Sequence, residues 1–528
     1  MGQKYVYCIG LLCLLGASCT GRFEEYNRDD TGFTDEQQAY DFGMYGIPLR
    51  VVQQGIYFNH DWGGGKNWPF QVMQNLGADM FCGYMHDYKP FDAGLGNSVY
   101  HLNDGWNGAM WENTYGYILT EVKKAEDLTR GNVPAFYAVS QILKVELMHR
   151  VSDIYGPVVY TRFGQSVVSV MPDTQKEAYY AFFDDLEEAV RLLSADDGKE
   201  AFARFDMIMP KGKRTYRQWV KFANSLRLRL AVRIAMADPR KALEEAGKSL
   251  DAANGGLLEQ RDDLVAVSTA GTGYSNPLGE INTAWKEASM NANMESILGG
   301  YEDPRMPKYF EPATGEGFSG EFRGIRQGTG FNHTKYIRHS RSTVTQTSDA
   351  VLMTAAEAWF LRAEAALRGW SDEEAAYCYR KGVEASFGQW GVEGAAAYLE
   401  SGRTARDFTD TFDPSYSIKA CCRVSPKWDE SAPDEVKLEK IITQKWIACY
   451  PEGCEAWAEQ RRTGYPRLFP VLLNKSEGKI DTGIMIRRLN FPVSLKTSDP
   501  PLYEALCNAL RGQDTGGTRL WWDTGRNF

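Results

Sequence analysis

Apolar positions recur along much of the chain at spacings of three and four, the interval that places side chains on one face of an α-helix. Within 215–236, Trp219, Ala223, Leu226, Leu230 and Ile234 form such a stripe, with Lys221, Arg227, Arg229 and Arg233 between them. The pattern predicts an amphipathic helix. Residues 174–194 open on Thr174-x-x-Glu177 and continue through Phe182, Leu186, Val190 and Leu193 on one face. In that capping box the hydroxyl and the carboxylate each accept an otherwise orphaned N–H of the first turn. Within 352–385, Ala356, Phe360, Ala363 and Leu367 precede Gly369 and a second box, Ser371-x-x-Glu374. This predicts a helical hairpin in which Gly closes one arm and Ser opens the next. A further pair is predicted at 112–130 with 134–150, with Ile118, Val122 and Ala125 facing inward and Gly131-Asn132 at the turn. Recurring antiparallel pairs with short turns point to an α-solenoid such as tetratricopeptide repeats, and the expected fold class is all-α.

Two regions differ in kind. Residues 255–330 hold 13 Gly in 76 positions, against 51 in 528 for the chain, with Asn, Ser and Thr interspersed. Residues 58–104 contain Asp61-Trp-Gly-Gly-Gly-Lys-Asn-Trp68 and later Tyr84, Tyr88 and Phe91. Long aromatic loops in a compact protein are usually functional. Sugar rings present apolar C–H faces that dock on aromatic planes, and their hydroxyls need amides, carboxylates or guanidinium groups nearby. That chemistry nominates Trp62, Asn67 and Trp68 in the first region and Tyr274, Asn276 and Trp285 in the second, with Tyr84 and Tyr88 as second choices. The ligand-binding regions are expected at about 58–104 and 255–345 of a single domain running from 19 to 528, although length alone would allow three or four units. Trp106 and Trp111 read as helix core.

The first eighteen residues read as an export signal: an early Lys4, an apolar run from Tyr5 to Leu15, then Gly16-Ala-Ser18. The run is too short to span a bilayer. Small residues before Cys19 resemble a bacterial lipobox, with Gly16 where such boxes usually carry Leu, so Cys19 is the expected lipid attachment site. Acyl chains on that Cys hold a soluble domain to a membrane.

Charge and composition narrow the function. With 59 Lys and Arg against 69 Asp and Glu, the net charge of −10 and the lack of basic runs argue against nucleic acid. Beyond Cys19 there are seven cysteines, an odd number without zinc-site spacing, which reads as mostly buried thiols. No phosphate loop, His-Glu-x-x-His or Gly-x-Ser-x-Gly occurs, and His60 stands where a phosphate loop around Gly65-Lys66 would need Gly. The six histidines form no ligand cluster, and the nearest pair, His333 and His339, reads as a surface loop. Carboxylate runs such as Asp184-Asp185 and Glu187-Glu188 read as solvated helix faces rather than a glycosidase pair. No cofactor and no metal ligand set is expected.

Four separated segments resemble the SusD/RagB family of outer-membrane nutrient-binding lipoproteins of Bacteroidetes. They are Asp153-Ile-Tyr-Gly-Pro-Val-Val-Tyr160, the helix Trp219 to Leu230 with its Asn-x-Leu-x-x-Arg pattern, the hairpin Ala355 to Trp370, and Glu455-Ala-Trp-Ala-Glu-Gln-Arg-Arg-Thr-Gly-Tyr-Pro466. Asp303-Pro-Arg305, Arg487-Arg-Leu-Asn-Phe-Pro492 and Trp521-Trp-Asp523 fit the same family. The resemblance implies a tetratricopeptide-like helical scaffold with loop-rich insertions packed on it. It also implies a surface lipoprotein that lids a SusC-like TonB-dependent outer-membrane transporter, captures an oligo- or polysaccharide, in some members a peptide, and catalyses nothing. A peptide-binding member or a transporter lid without glycan affinity is the alternative. The motif residues themselves read as structural: Trp219 and Trp457 as core anchors, Arg461-Arg462 as partners of carboxylates or carbonyls, and Tyr155-Gly-Pro157 as a turn.

Overall fold

A computed structural model describes residues 41–57, 68–89, 91–166, 170–195, 200–329 and 333–528. The expected leader, Cys19, Trp62 and Asn67 lie outside the described residues.

The principal helices are α1 (Gly43–Ile56), α2 (Leu119–Thr129), α3 (Pro134–Tyr155), α4 (Gln175–Ser194), α5 (Tyr216–Arg233) and α6 (Pro239–Leu250), followed by α7 (Ala292–Tyr301), α8 (Ala355–Leu367), α9 (Ala375–Gln389), α10 (Asp434–Cys449), α11 (Gly453–Thr463) and α12 (Pro500–Leu510). From α1 to α6 each helix packs on the next, α8 packs on α9, and α5 against α8 together with α8 against α10 fuses the two runs into one core. This is the all-α stack of helical pairs that the periodicity predicts.

Local chemistry explains the ends of these helices. Pro134 starts α3 at a position where its missing N–H is not needed, and Gly156, at φ 95°, stops it in a conformation that glycine adopts without strain. Between them every residue from Ala135 to Tyr155 except Lys144 is buried, so α3 is the central helix of the stack. The α4 capping box is present: Thr174 Oγ1 accepts the Glu177 N–H at 3.2 Å, and the Thr174 N–H donates to the Glu177 carboxylate at 2.8 Å. Ile118, Val122 and Ala125 are buried at 0–1% exposure, as are Trp219 and Trp457 at 1%.

The structure departs from the sequence reading in four places. The predicted helix over 112–130 is broken by a π-helical turn, Thr114–Ile118, before α2. Residues 350–354 form a strand rather than the first turn of the hairpin. Its second arm starts at Ala375 with Glu374 at the N-cap and no side-chain cap, and the Ser371 hydroxyl makes no hydrogen bond. The largest departure concerns α5. An amphipathic stripe ordinarily turns the charged residues between its apolar positions to solvent, yet Arg227, Arg229 and Arg233 are 0–2% exposed.

Buried cations need partners, since an isolated charge in a low-dielectric interior costs several kcal/mol or more. Arg229 makes a two-pronged contact with Glu357 of α8 at 2.7 and 2.8 Å. Arg233 donates to Glu455 of α11 and lies 3.0 Å from Glu459. Lys445 of α10 reaches Glu455 at 2.7 Å and Glu459 at 3.3 Å, and Arg462 pairs with Glu364 and Glu459, each at 2.7 Å. Burial opposes the charge on Glu455, but Arg233, Lys445 and Arg229 overcome it and hold the carboxyl well below the usual carboxylate range. The Glu455 to Pro466 motif is thus an ionic lock between helices.

Among the described residues there are also two small antiparallel sheets. Their strands are β1 (Met85–His86), β2 (Leu264–Val267), β3 (Ser289–Met290), β4 (Phe310–Glu311), β5 (Arg341–Ser342) and β6 (Ala350–Thr354). One sheet has the order β1-β3-β5-β4, and the other pairs β2 with β6. All seven cysteines among the described residues are free; Cys421 and Cys507 are half-buried and the other five buried.

Replacing Glu455 by Gln takes from the buried Arg233 and Lys445 one of the two carboxylates they share, leaving them Glu459. The expected loss, read from urea unfolding, is about 3–5 kcal/mol. Lys123→Ala, which breaks the exposed pair with Asp127, is expected to cost less than about 0.5 kcal/mol in the same assay.

Candidate functional site

The first sheet brings the two loop-rich regions together. β1 belongs to the first region and β3 to the second; Met85 pairs with Met290 and His86 with Ser289. β5 then joins Ser289 to Arg341, and β4 closes the sheet through Phe310 and Ser342. Side chains reinforce this junction. Gln71 donates to the Glu287 carboxylate at 2.6 Å, and Lys89 forms an ion pair with the same group. Tyr88 clusters with Ile325 and Tyr336.

An aromatic cluster extends from Tyr336. Its ring lies 5.2 Å edge-on from Phe412 and 5.0 Å from His339, and Phe318 stands 5.9 Å from Phe412. The Tyr336 hydroxyl donates to the two Asp410 carboxylate oxygens at 3.1 and 3.2 Å, which orients the ring. Phe412 and Ile337 are exposed, and the Lys335 ammonium stands 5.9 Å over the Phe412 ring. Apolar planes beside fixed polar groups suit a ligand with one apolar and one hydroxyl-bearing face.

The nominated residues divide sharply. Trp68 is 58% exposed at the start of the short helix Trp68–Phe70 and remains available to a ligand. Trp285 is half-buried, with one face packed on the core. Tyr84, Tyr274 and Asn276 are corrected to interior roles. The Tyr84 hydroxyl donates to the Trp446 carbonyl, with its ring 5.1 Å from the indole. That of Tyr274 donates to the Tyr57 carbonyl at 2.9 Å. Asn276 caps the helix Pro277–Thr283 by accepting the Leu278 N–H at 3.0 Å. Tyr88 is 5% exposed and supports the cluster from below. Aromatic and amide residues in a Gly-rich segment have two uses, and here the interior claimed most of them.

Sequence reasoning missed Phe412 because it lies outside both loop regions. The available signal was the aromatic, polar run Phe408-Thr-Asp-Thr-Phe412-Asp-Pro-Ser-Tyr416. His339 was expected on a surface loop, but is 3% exposed beside Phe318 and Tyr336. Among the described residues no group of three or more His, Cys, Asp or Glu is placed to hold a metal ion, and no helix is long and apolar enough to cross a membrane.

The family profile described as "SusD-like: SusD and RagB outer membrane lipoprotein" matches residues 25–523. The chain belongs to the SusD/RagB family. Members of that family are outer-membrane lipoproteins. Among solved structures, it is similar to a SusD homologue from Bacteroides vulgatus, with 46% identity over 93% of this chain and 100% of that one and a TM-score of 0.86. A chitin-binding SusD homologue from Flavobacterium johnsoniae is 38% identical over 91% of this chain and 99% of that one, also at TM-score 0.86. A third, from Bacteroides uniformis, is 32% identical over 92% and 99%, at TM-score 0.80. No curated protein sequence matches significantly.

Burial, aided by Arg323, lowers the His339 pKa to about 4, so the folded SusD-like chain keeps this ring neutral where the unfolded chain, near 6.5, takes up a proton. Stability from this group is therefore lost as pH falls through about 6.5 and is fully lost near 4. Relative to wild type, His339→Phe is expected to gain on the order of 1.4 kcal/mol per pH unit over that window, measured by urea unfolding at several pH values. Parallel pH profiles for the two proteins would contradict a buried neutral ring.

Proposed function

We propose that this SusD-family protein is a non-catalytic capture protein for a glycan, which it hands to a partner SusC-like TonB-dependent outer-membrane transporter. The mature chain begins at Cys19, whose lipid holds a single domain to the outer membrane with its loops facing the outside. The observation that carries this reading is the β1-β3-β5-β4 sheet, which draws the two loop-rich regions together, with exposed aromatic rings at Trp68 and Phe412 for stacking and Asp410 bound to Tyr336 beside Phe412 as a polar neighbour. A chitin-binding relative over nearly the whole chain supports a carbohydrate as the ligand class. Trp62, Asn67 and Trp285 complete the proposed contact set. Tyr88 shapes it by supporting Tyr336.

Stacking provides affinity without strict linkage specificity, because any sugar ring with an apolar face can cover an indole or phenyl plane. The polar groups then decide which ring fits. None of this needs a general acid, and the proposed role is binding and transfer alone.

Affinity electrophoresis of the chain from residue 20 against a panel of plant, microbial and host polysaccharides and soluble chitin is expected to show retardation by one glycan class, without new reducing ends. Trp68→Ala is expected to weaken that affinity about tenfold, roughly 1.4 kcal/mol, and to leave the unfolding midpoint nearly unchanged because the side chain is exposed. Retardation by no glycan, with retention of the transporter on co-purification, is the outcome that replaces glycan capture by peptide capture or a lid role. Full affinity in Trp68→Ala, Trp285→Ala and Phe412→Ala together moves the site off this face.

A further inference from the structure

A separate cavity of about 690 Å³ opens where the C-terminal end of α11 meets segments 419–423 and 483–487. Its walls carry Lys419, Arg423, Arg461, Arg462, Arg467, Arg487 and Arg519, and no Asp or Glu. That is a concentrated positive surface on a chain whose net charge is −10.

Internal partners account for only part of this charge. Arg462 is neutralised by Glu364 and Glu459. Arg487 and Arg519 share one carboxylate, Asp523, at 2.7 and 2.5 Å. Lys419 pairs with Asp407 at 2.7 Å across an exposed surface, a contact of little energetic weight. Arg467 lies 3.5 Å from Glu439 and is largely exposed. Arg423 is exposed and makes no direct ion pair or hydrogen bond among the described residues, although Asp407 feels its charge.

Arg461 sets this cavity apart from an ordinary basic surface. It is 1% exposed, and its guanidinium, 3.7 Å over the Trp457 ring, donates to the carbonyls of Trp457, Asp153 and Arg487 but to no carboxylate. Its Nη2 has no acceptor. A cation buried in that way beneath a cavity raises the potential inside it, because little water screens the charge. Arg461 and Arg462 also complement the C-terminal dipole of α11. The remaining five cations lie on other segments and have no such role.

We propose that this cavity binds an organic oxyanion, a carboxylate or sulfate carried on a body of one or two sugar rings. The volume falls within the roughly 300–1,000 Å³ typical of small-molecule sites and exceeds what a bare ion fills. Leu468, Ile484 and Met485 supply apolar wall for the body of the ligand, and Thr463 and Gln460 supply neutral polar groups. Arg423 and Arg467 at the surface provide charge-assisted donors in the planar geometry that suits carboxylate and sulfate. The inference concerns a site apart from the aromatic face, and its failure leaves glycan capture there untouched.

The test is calorimetric titration of the mature lipoprotein in detergent with glucuronate, a sulfated glucose, inorganic sulfate and glucose, all at constant ionic strength. Saturable binding of glucuronate or the sulfated sugar is expected, at least about tenfold tighter than glucose, and Arg423→Glu and Arg467→Glu are each expected to weaken it about tenfold or more. Both residues are exposed, so the variants report on binding rather than on folding. Sulfate binding as tightly as the sulfated sugar assigns the site to a free inorganic anion and overturns the organic ligand. Binding of none of the three anions, or wild-type binding by both variants, overturns the site itself.

Discussion

The contact between Glu455 and the cations Arg233 and Lys445 is the constraint on which the architecture depends. It joins α5, α10 and α11 at one carboxylate, with Arg229 3.6 Å away and already bound to α8 through Glu357. Asp153 and Glu146 of α3 face the same arginines at 3.6 and 3.4 Å. Five helices therefore meet at charges that water does not reach. Such a network adds little net stability over an apolar core of the same volume, but it penalises every alternative alignment. Sliding one helix by a turn strands a buried charge, at a cost of several kcal/mol.

That rigidity sets where the ligand face can form. Tyr84 precedes β1 and anchors to the Trp446 carbonyl in α10, while the Trp446 indole donates to the Cys82 carbonyl at 2.8 Å. Tyr309, next to β4, donates to the Ile447 carbonyl at 2.9 Å. The sheet that unites the two loop regions is thus fastened at both edges to the helix that carries Lys445. Residues first nominated as contacts, Tyr84 foremost, are the fasteners. Trp68 and Phe412 are exposed, while Tyr84 and Tyr309 are buried in these anchoring contacts.

Periodicity made the helical pairs legible, and the capping box at Thr174 marked its helix start to the residue. It misread α5 because a stripe of apolar residues with arginines between them has the same pattern whether the arginines meet water or buried glutamates. Only the carboxylate partners on other helices, Glu146 and Asp153 of α3, Glu245 of α6, Glu357 of α8 and Glu455 of α11, distinguish the two. The candidate site was legible as two regions but not as individual residues. The hydroxyl of Tyr274 and the amide of Asn276 carry no sequence mark that separates capping a carbonyl or an N–H from meeting a sugar. Phe412 came from a third segment that only folding brings to Tyr336. In the Glu455 to Pro466 motif, which carries the family resemblance, Glu455 and Glu459 prove structural, as the carboxylates of the ionic lock.

Hydrogen exchange measured along the whole chain with and without the glycan it binds tests the central claim most directly. The account predicts added protection at 68–89, 285–290 and 335–342 together, since one sheet has a strand in each of the three segments, with the α5, α10 and α11 amides already slow in the free protein. Protection confined to a region remote from that sheet, or fast exchange in those three helices, would contradict it.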